Sequence, residues 1–206
     1  CLGLAEYVRA EKKLDLLEPV LALYDRIRRR LASGNFRSEP YPVPKGYKAH
    51  AISMIMLHVS QELAEALAEY RHPRSLDVLR HSLDYMHEVM DEWMEEDGRV
   101  VELRPERKSE RDTLLSRHVN PGHAVECMWF VMQTAKRVGR MEMISKAVKG
   151  IKKAFALGWD DEWGGLYRFT DVSGGQPKGR TVHHPYEQLI LQTWDTKLWW
   201  PHSEAL

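Results

Sequence analysis

Apolar residues return every three or four positions along most of the 206-residue chain, the period of one face of an α-helix. Leu16, Val20, Leu23, Tyr24, Ile27 and Leu31 form one stripe, ended by Ser33-Gly34. Ile52, Ile55, Met56, Val59, Leu63, Ala66 and Leu67 form a second. Val78, Leu79, Leu83, Met86, Val89, Met90 and Trp93 form a third, closed by Asp97-Gly98. Residues 121–138 and 140–157 read as a helical hairpin turning at Gly139, and a last helix begins near Thr196. The connections alternate between short and long. Pro40, Pro42 and Pro44 keep residues 35–46 extended. Residues 97–120 hold a candidate strand, Val100 to Leu103. Residues 158–194 are read as a loop carrying a small β-hairpin, with a strand at Leu166 to Phe169 and a turn at Asp171 to Gly175. Helices entered from long loops, near residues 47, 121 and 196, begin with polar and aromatic groups, whereas those near 14, 74 and 140 begin blandly. An all-α ring of helical hairpins fits this alternation, one set lining the inside with its amino termini at one mouth.

Composition excludes several classes. Thirty basic residues balance thirty acidic ones, so the basic stripe of a nucleic-acid binder is absent. The run Arg26-Ile27-Arg28-Arg29-Arg30 reads as the charged last turn of a helix. No apolar run reaches the ~20 residues needed to span a bilayer. The two cysteines, Cys1 and Cys127, have no metal-ligand or disulfide spacing, which makes a reducing cytoplasm the expected location. His183-His184 has no third ligand nearby in sequence, so no metal site is expected. Helical character at both termini, with neither end capped, leads us to expect one partial domain over residues 1–206, cut from a longer chain.

The segment Arg117-His118-Val119-Asn120-Pro121-Gly122-His123-Ala124-Val125-Glu126 carries the sharpest chemistry. Asn120 is a good N-cap and Pro121 fits the first helical position, which puts His123 in the first turn. The positive end of the helix dipole there favours the neutral ring, a form able to accept a proton. Glu126, three residues on, shares its face and could fix the imidazole tautomer or bind a sugar hydroxyl. A histidine that simply packs at a helix start is the competing reading.

In Trp194-Asp195-Thr196-Lys197-Leu198-Trp199-Trp200-Pro201-His202-Ser203-Glu204, adjacent tryptophans cannot both face one core, because helical residues are ~100° apart. Trp200 and Glu204 share a face, either as a flat surface and acceptor for a sugar or as ordinary packing. Trp159-Asp160-Asp161-Glu162-Trp163-Gly164-Gly165 reads as a structural turn, since EF-hand spacing is absent. His50 stands at the start of an inner helix.

Asn120-Pro121-Gly122-His123-Ala124-Val125-Glu126, followed by Met128-Trp129-Phe130, resembles the Asn-Pro-Gly-His-Ala-Ile-Glu motif of the N-acylglucosamine 2-epimerases. Trp194 through Leu206, Gly158 through Tyr167, and Pro44 through Ala51 resemble further segments of that family in the same order. The resemblance implies an (α/α)6 barrel, a toroid of which this chain supplies about half. It implies inversion at C2 between an N-acylglucosamine and the N-acylmannosamine through ring opening, removal of the C2 proton by one histidine and its return by a second. His123 matches the first histidine. Glu126, Trp200 and Glu204 match substrate-contacting positions, and His50 and Asn120 are carried as further substrate-binding candidates. No metal or consumed cofactor is implied, although ATP activates some relatives without being consumed. The implied partners are a small sugar and a second copy of the chain. In the family, the second histidine follows the Trp-Trp helix and a substrate-holding arginine precedes the part seen here; neither lies within these residues, so the chain alone is expected to be inactive. Two alternatives stand beside this reading. Mannose isomerases and cellobiose 2-epimerases share the barrel, but their second inner helix carries a histidine where Ser53-Met54 stands here. A non-catalytic sugar-binding or scaffold fragment is the other.

Overall fold

The computed structural model describes all 206 residues. Nine α-helices carry the fold: α1 (Leu2–Glu11), α2 (Leu17–Ala32), α3 (His50–Glu69), α4 (Ser75–Glu88), α5 (Leu114–Arg117), α6 (Pro121–Arg137), α7 (Met141–Gly158), α8 (Pro185–Thr193) and α9 (Trp199–Glu204). Four short strands accompany them: β1 (Tyr47–Ala49), β2 (Leu103–Pro105), β3 (His118–Val119) and β4 (Thr170–Asp171). A π-helical turn, Val89–Trp93, follows α4. The chain divides into two compact units, residues 1–42 with 55–85, and residues 43–54 with 86–206.

In the first unit α1, α2, α4 and the later part of α3 close on Val20, Leu21, Tyr24, Leu63, Leu67 and Val78, all buried. Of the second stripe, Ile55 stays 53% exposed. The Tyr24 hydroxyl is too costly to bury unpaired. It lies 2.8 Å from Ser60 Oγ and 3.2 Å from His81 Nδ1. Arg28 donates to His81 Nε2 at 2.8 Å, so the ring is neutral, its proton is on Nδ1, and the relay runs from His81 through Tyr24 to Ser60. Burial, with Arg28 beside it, holds the His81 pKa below its usual value.

The second unit is organised by the α6–α7 hairpin, which turns at Gly139 in the left-handed region (φ 72°). Small residues on α7 let the helices close. A Cβ on Gly158 would lie 2.4 Å from Pro121 Cγ, and one on Gly150 would lie 2.7 Å from Met128 Sδ. Strands β1 and β2 pair antiparallel, Ala49 opposite Leu103 and Tyr47 opposite Pro105. Strands β3 and β4 pair likewise, His118 opposite Asp171.

Three local expectations are corrected. Residues 47–49 form a strand, and α3 begins only at His50. The candidate strand at Val100–Leu103 is displaced to 103–105 and pairs with β1, while Val100 makes only an isolated antiparallel bridge with Met94. The hairpin expected within 158–194 is reduced to one antiparallel bridge, Trp159 opposite Leu166, and no strand pairs across the 171–175 turn. Asp171 to Gly175 does turn, with Asp171 N–H donating to the Gly175 carbonyl at 3.0 Å, but Thr170–Asp171 pairs with the segment ahead of α6. An isolated two-stranded hairpin is marginal in water, whereas this pairing is locked by Arg117, which donates to both oxygens of buried Asp171 at 2.6 and 3.0 Å. The same stretch also contains α8. His184 caps it and Glu187 reaches back to the His184 N–H at 3.0 Å, a reciprocal cap led by Pro185 at the first turn.

Candidate active site

Asn120 is the N-cap of α6: its amide oxygen accepts the His123 backbone N–H at 3.2 Å, with Pro121 in the first turn. His123 is thereby fixed at the start of the helix, its side chain 28% exposed.

The imidazole's partner is Glu102. Nδ1 of His123 lies 3.1 Å from Glu102 Oε2, and a carboxylate only accepts, so Nδ1 carries a proton and, in the neutral ring, Nε2 keeps the lone pair. Glu102 is 6% exposed. Burial alone would raise its pKa, but His123 and then His50 outweigh this and hold it well below the carboxylate range. Burial likewise opposes charge on His123, yet Glu102 prevails and lifts the His123 pKa above its usual value. The dipole of α6 was expected to keep the ring neutral; the net shift runs the other way, because a buried carboxylate in contact outweighs the field of a helix end.

Glu102 is set by the β1–β2 pairing, which continues as the His50 N–H donates to the Glu102 carbonyl at 2.9 Å. His50 itself is fully buried. Its Nδ1 stands 3.7 Å from Glu102 Oε1, too long for a hydrogen bond, and its ring packs 5.8 Å from that of Trp93. The π-helical turn delivers Trp93, whose Nε1 donates to Ser53 at 3.1 Å, while Ser53 donates to Glu88 at 2.9 Å. In this arrangement His50 backs the carboxylate instead of facing a ligand.

On the other side of His123 stands Trp200, ring centroids 5.5 Å apart and tilted by 35°. Gly122 makes this possible. A Cβ there would fall 2.8 Å from Pro201 and 2.9 Å from the Trp200 indole. Glu204, one turn beyond Trp200, accepts from Trp129 Nε1 at 2.6 Å. Glu126 is half-buried, and burial, reinforced by Glu204, raises its pKa. Trp199 is 80% exposed.

The entry to α9 is anchored in the 159–166 turn. Asp160 accepts from the N–H groups of Glu162 and Trp163 at 3.0 and 3.2 Å and pairs with Lys197. His202 donates from Nδ1 to the Leu198 carbonyl at 2.7 Å and accepts the Leu166 N–H on Nε2 at 2.9 Å.

His50, His123 and Trp200, from three helix starts far apart in sequence, thus meet in one cluster joined by Glu102. Glu126 and Glu204 lie beside it, and Asn120 acts as the cap beneath it. Glu102 is the member that sequence reasoning missed. Its signal was a lone acid in the apolar run Val100-Val101-Glu102-Leu103, where burial demands a partner. No group of three or more His, Cys, Asp or Glu side chains is placed to hold a metal ion, and no helix is long and apolar enough to cross a membrane.

Known proteins resemble this chain throughout. The mouse N-acylglucosamine 2-epimerase is 34% identical over 187 residues, covering 84% of this chain and 36% of that protein. The human N-acylglucosamine 2-epimerase is 31% identical over 165 residues, covering 76% and 33%. The chain therefore spans about a third of the length of these curated relatives. Among solved structures, a D-mannose isomerase superposes with TM-score 0.63 at 17% identity, over 100% of this chain and 53% of that one. A cellobiose 2-epimerase from Bacillus thermoamylovorans superposes with TM-score 0.60 at 11% identity, over 93% and 50%. Both are α/α toroids, and this chain shares their fold. The family model of N-acylglucosamine 2-epimerase (GlcNAc 2-epimerase) matches residues 2–206, and the chain belongs to that family.

Proposed function

We propose that this protein inverts C2 of N-acylglucosamine and N-acylmannosamine, with His123 as the base for one epimer. The observation that carries this is the His123–Glu102 pair, which holds the proton on Nδ1 and leaves Nε2 to take another. In the open-chain sugar, C2 carries the acylamino group beside the C1 aldehyde, so its proton can leave to His123 as the electron pair moves into the C1–C2 bond and the carbonyl pair onto O1, giving a planar enolate. Return of a proton to the opposite face gives the other epimer. The family resemblance assigns that step to a histidine outside these residues. Trp200 offers a flat apolar surface against His123, and Glu126 and Glu204 offer acceptors for hydroxyl groups.

The same family likeness supports a cytoplasmic homodimer acting on a small sugar, with ATP as an effector that is not consumed.

The test follows deuterium incorporation at C2 from each epimer separately, in the intact protein. His123→Ala, still folded, should lose exchange from at least one epimer by about the 10²–10⁴-fold that a general base supplies. Unchanged exchange from both epimers would refute the assignment.

A further inference from the structure

Strand β2 and the residues just before it have two functional sides. Glu102 is directed to His123 and His50. Its neighbours Val101 and Leu103, alternating as extended backbone requires, instead line a separate pocket of about 250 Å³. Four arginines converge on it, Arg99, Arg104, Arg111 and Arg117, with a single acid in the wall, Glu95. None of the residues around His123 takes part.

Internal partners do not exhaust these guanidinium groups. Arg104 pairs with Glu95 at 2.9 Å and Arg117 with Asp171, and Arg99 makes no ion pair but feels the Asp97 carboxylate through space, so Arg111 is the one guanidinium with no acid to balance it. Arg99 gives one N–H to the Val172 carbonyl at 3.0 Å. The Nε atoms of Arg99 and Arg104 are buried with no acceptor, an arrangement that costs free energy until one arrives. The Arg111 side chain is exposed and forms no hydrogen bond or ion pair. Planar guanidinium forks converging from several directions match a tetrahedral oxyanion, which accepts in-plane pairs of hydrogen bonds. The volume is below the ~300–1,000 Å³ of pockets for drug-sized ligands, and Val101, Leu103 and Val172 give it an apolar flank. That is room for a phosphoryl group and a small body, not for a nucleoside triphosphate.

We propose that this pocket is a second binding site, for a phosphate monoester of hexose-phosphate size, on the opposite side of the β2 segment from the Glu102–His123 pair. The phosphoryl group sits among the arginines, and the ester's carbon body lies against Val101 and Leu103.

Isothermal titration of the protein with glucose 6-phosphate, inorganic phosphate, ATP and glucose tests this directly, without reference to turnover. Glucose 6-phosphate should bind at one site, more tightly than inorganic phosphate and in competition with it, and glucose should not bind there. Arg111→Gln, which removes no internal bond, should weaken binding roughly tenfold or more. Glu95→Gln, which removes the competing carboxylate, should strengthen it. Equal affinity for phosphate and glucose 6-phosphate would reduce the site to an anion hole and overturn the monoester. Binding of ATP alone, an affinity indifferent to Arg111→Gln and Glu95→Gln, or no binding of any probe would each overturn the proposal.

Discussion

The carboxylate of Glu102 stands between two histidines, 3.1 Å from Nδ1 of His123 and 3.7 Å from Nδ1 of His50. The nearer contact fixes a tautomer and the farther one supplies a backing group, so a single buried charge sets the protonation state of the half-buried His123 ring. Glu102→Gln should lower turnover by up to the ~10²–10⁴-fold that a general base supplies. It should also lower the His123 pKa, because the charge that lifted it is gone, and the acid limb of kcat/KM should move to lower pH. An NMR titration of the imidazole reports that shift without substrate; an unmoved pKa would show that the carboxylate is not what controls the ring.

The same pair gives stability a two-sided pH dependence. The lowered Glu102 pKa stabilises the fold above the unfolded carboxylate value of about 4.3, and that stability is lost as pH falls. The raised His123 pKa contributes fully below about 6.5 and is lost as pH rises through its folded value. Denaturant melts across pH should peak between these limits, and the peak should flatten in Glu102→Gln.

Gly122→Ala places a methyl group against Pro201 and Trp200. Overpacking of this kind typically costs ~1–3 kcal/mol, and here it should push α9 away from α6. A lower Tm with altered tryptophan fluorescence is expected, with KM affected more than the His123 pKa. An unchanged fluorescence spectrum would mean that α9 does not rest on Gly122.

Arg117→Ala leaves Asp171 buried without its cation. Breaking a buried ion pair from one side costs ~3–5 kcal/mol, moderated here because Asp171 also accepts the Ser173 N–H at 2.9 Å. Burial opposes ionisation of Asp171, but Arg117 and Ser173 outweigh it and lower its pKa. The stability it contributes is therefore present above the unfolded value and lost as pH falls. Acid unfolding of the wild type should lose part of its steepness in Arg117→Ala.

The hydroxyl of Tyr24 should ionise only near pH 12, since burial outweighs the lowering contacts with Ser60 and Arg28. Ultraviolet titration of the wild type against Tyr24→Phe isolates that phenol. A difference spectrum complete by pH 10 would mean that the residue is not enclosed.

What sequence disclosed was what depends on period and local chemistry. The stripes on α2, α3 and α4 mark their helices, and Asn120-Pro121 announces a helix start that the hydrogen bond to His123 then occupies. The convergence of His50, His123 and Trp200 was legible from the character of three helix starts. Long-range pairing was not. Nothing in Tyr47-Lys48-Ala49 says that its partner lies at 103–105, because a three-residue strand carries too few side chains to specify register. For the same reason the partner of Glu102 stayed hidden: its apolar neighbours signal burial, but only the long-range backbone pairing brings it to His123. Helix α8 was missed because a histidine cap and a leading proline look like loop chemistry until the Glu187 bridge closes them.

The contact between Trp129 and Glu204 spans 75 residues. At a synthesis rate of ~5–20 residues per second, roughly 4–15 s separate the emergence of the two partners from the ribosome. The α6–α7 hairpin needs only neighbouring residues and can close first, so Gly122 and the Trp129 indole wait as an uncovered apolar face. Such a face is what chaperones hold and what aggregation exploits. Codon usage or growth temperature that lengthens the interval before α9 arrives should therefore govern the yield of folded protein more than any change inside the hairpin.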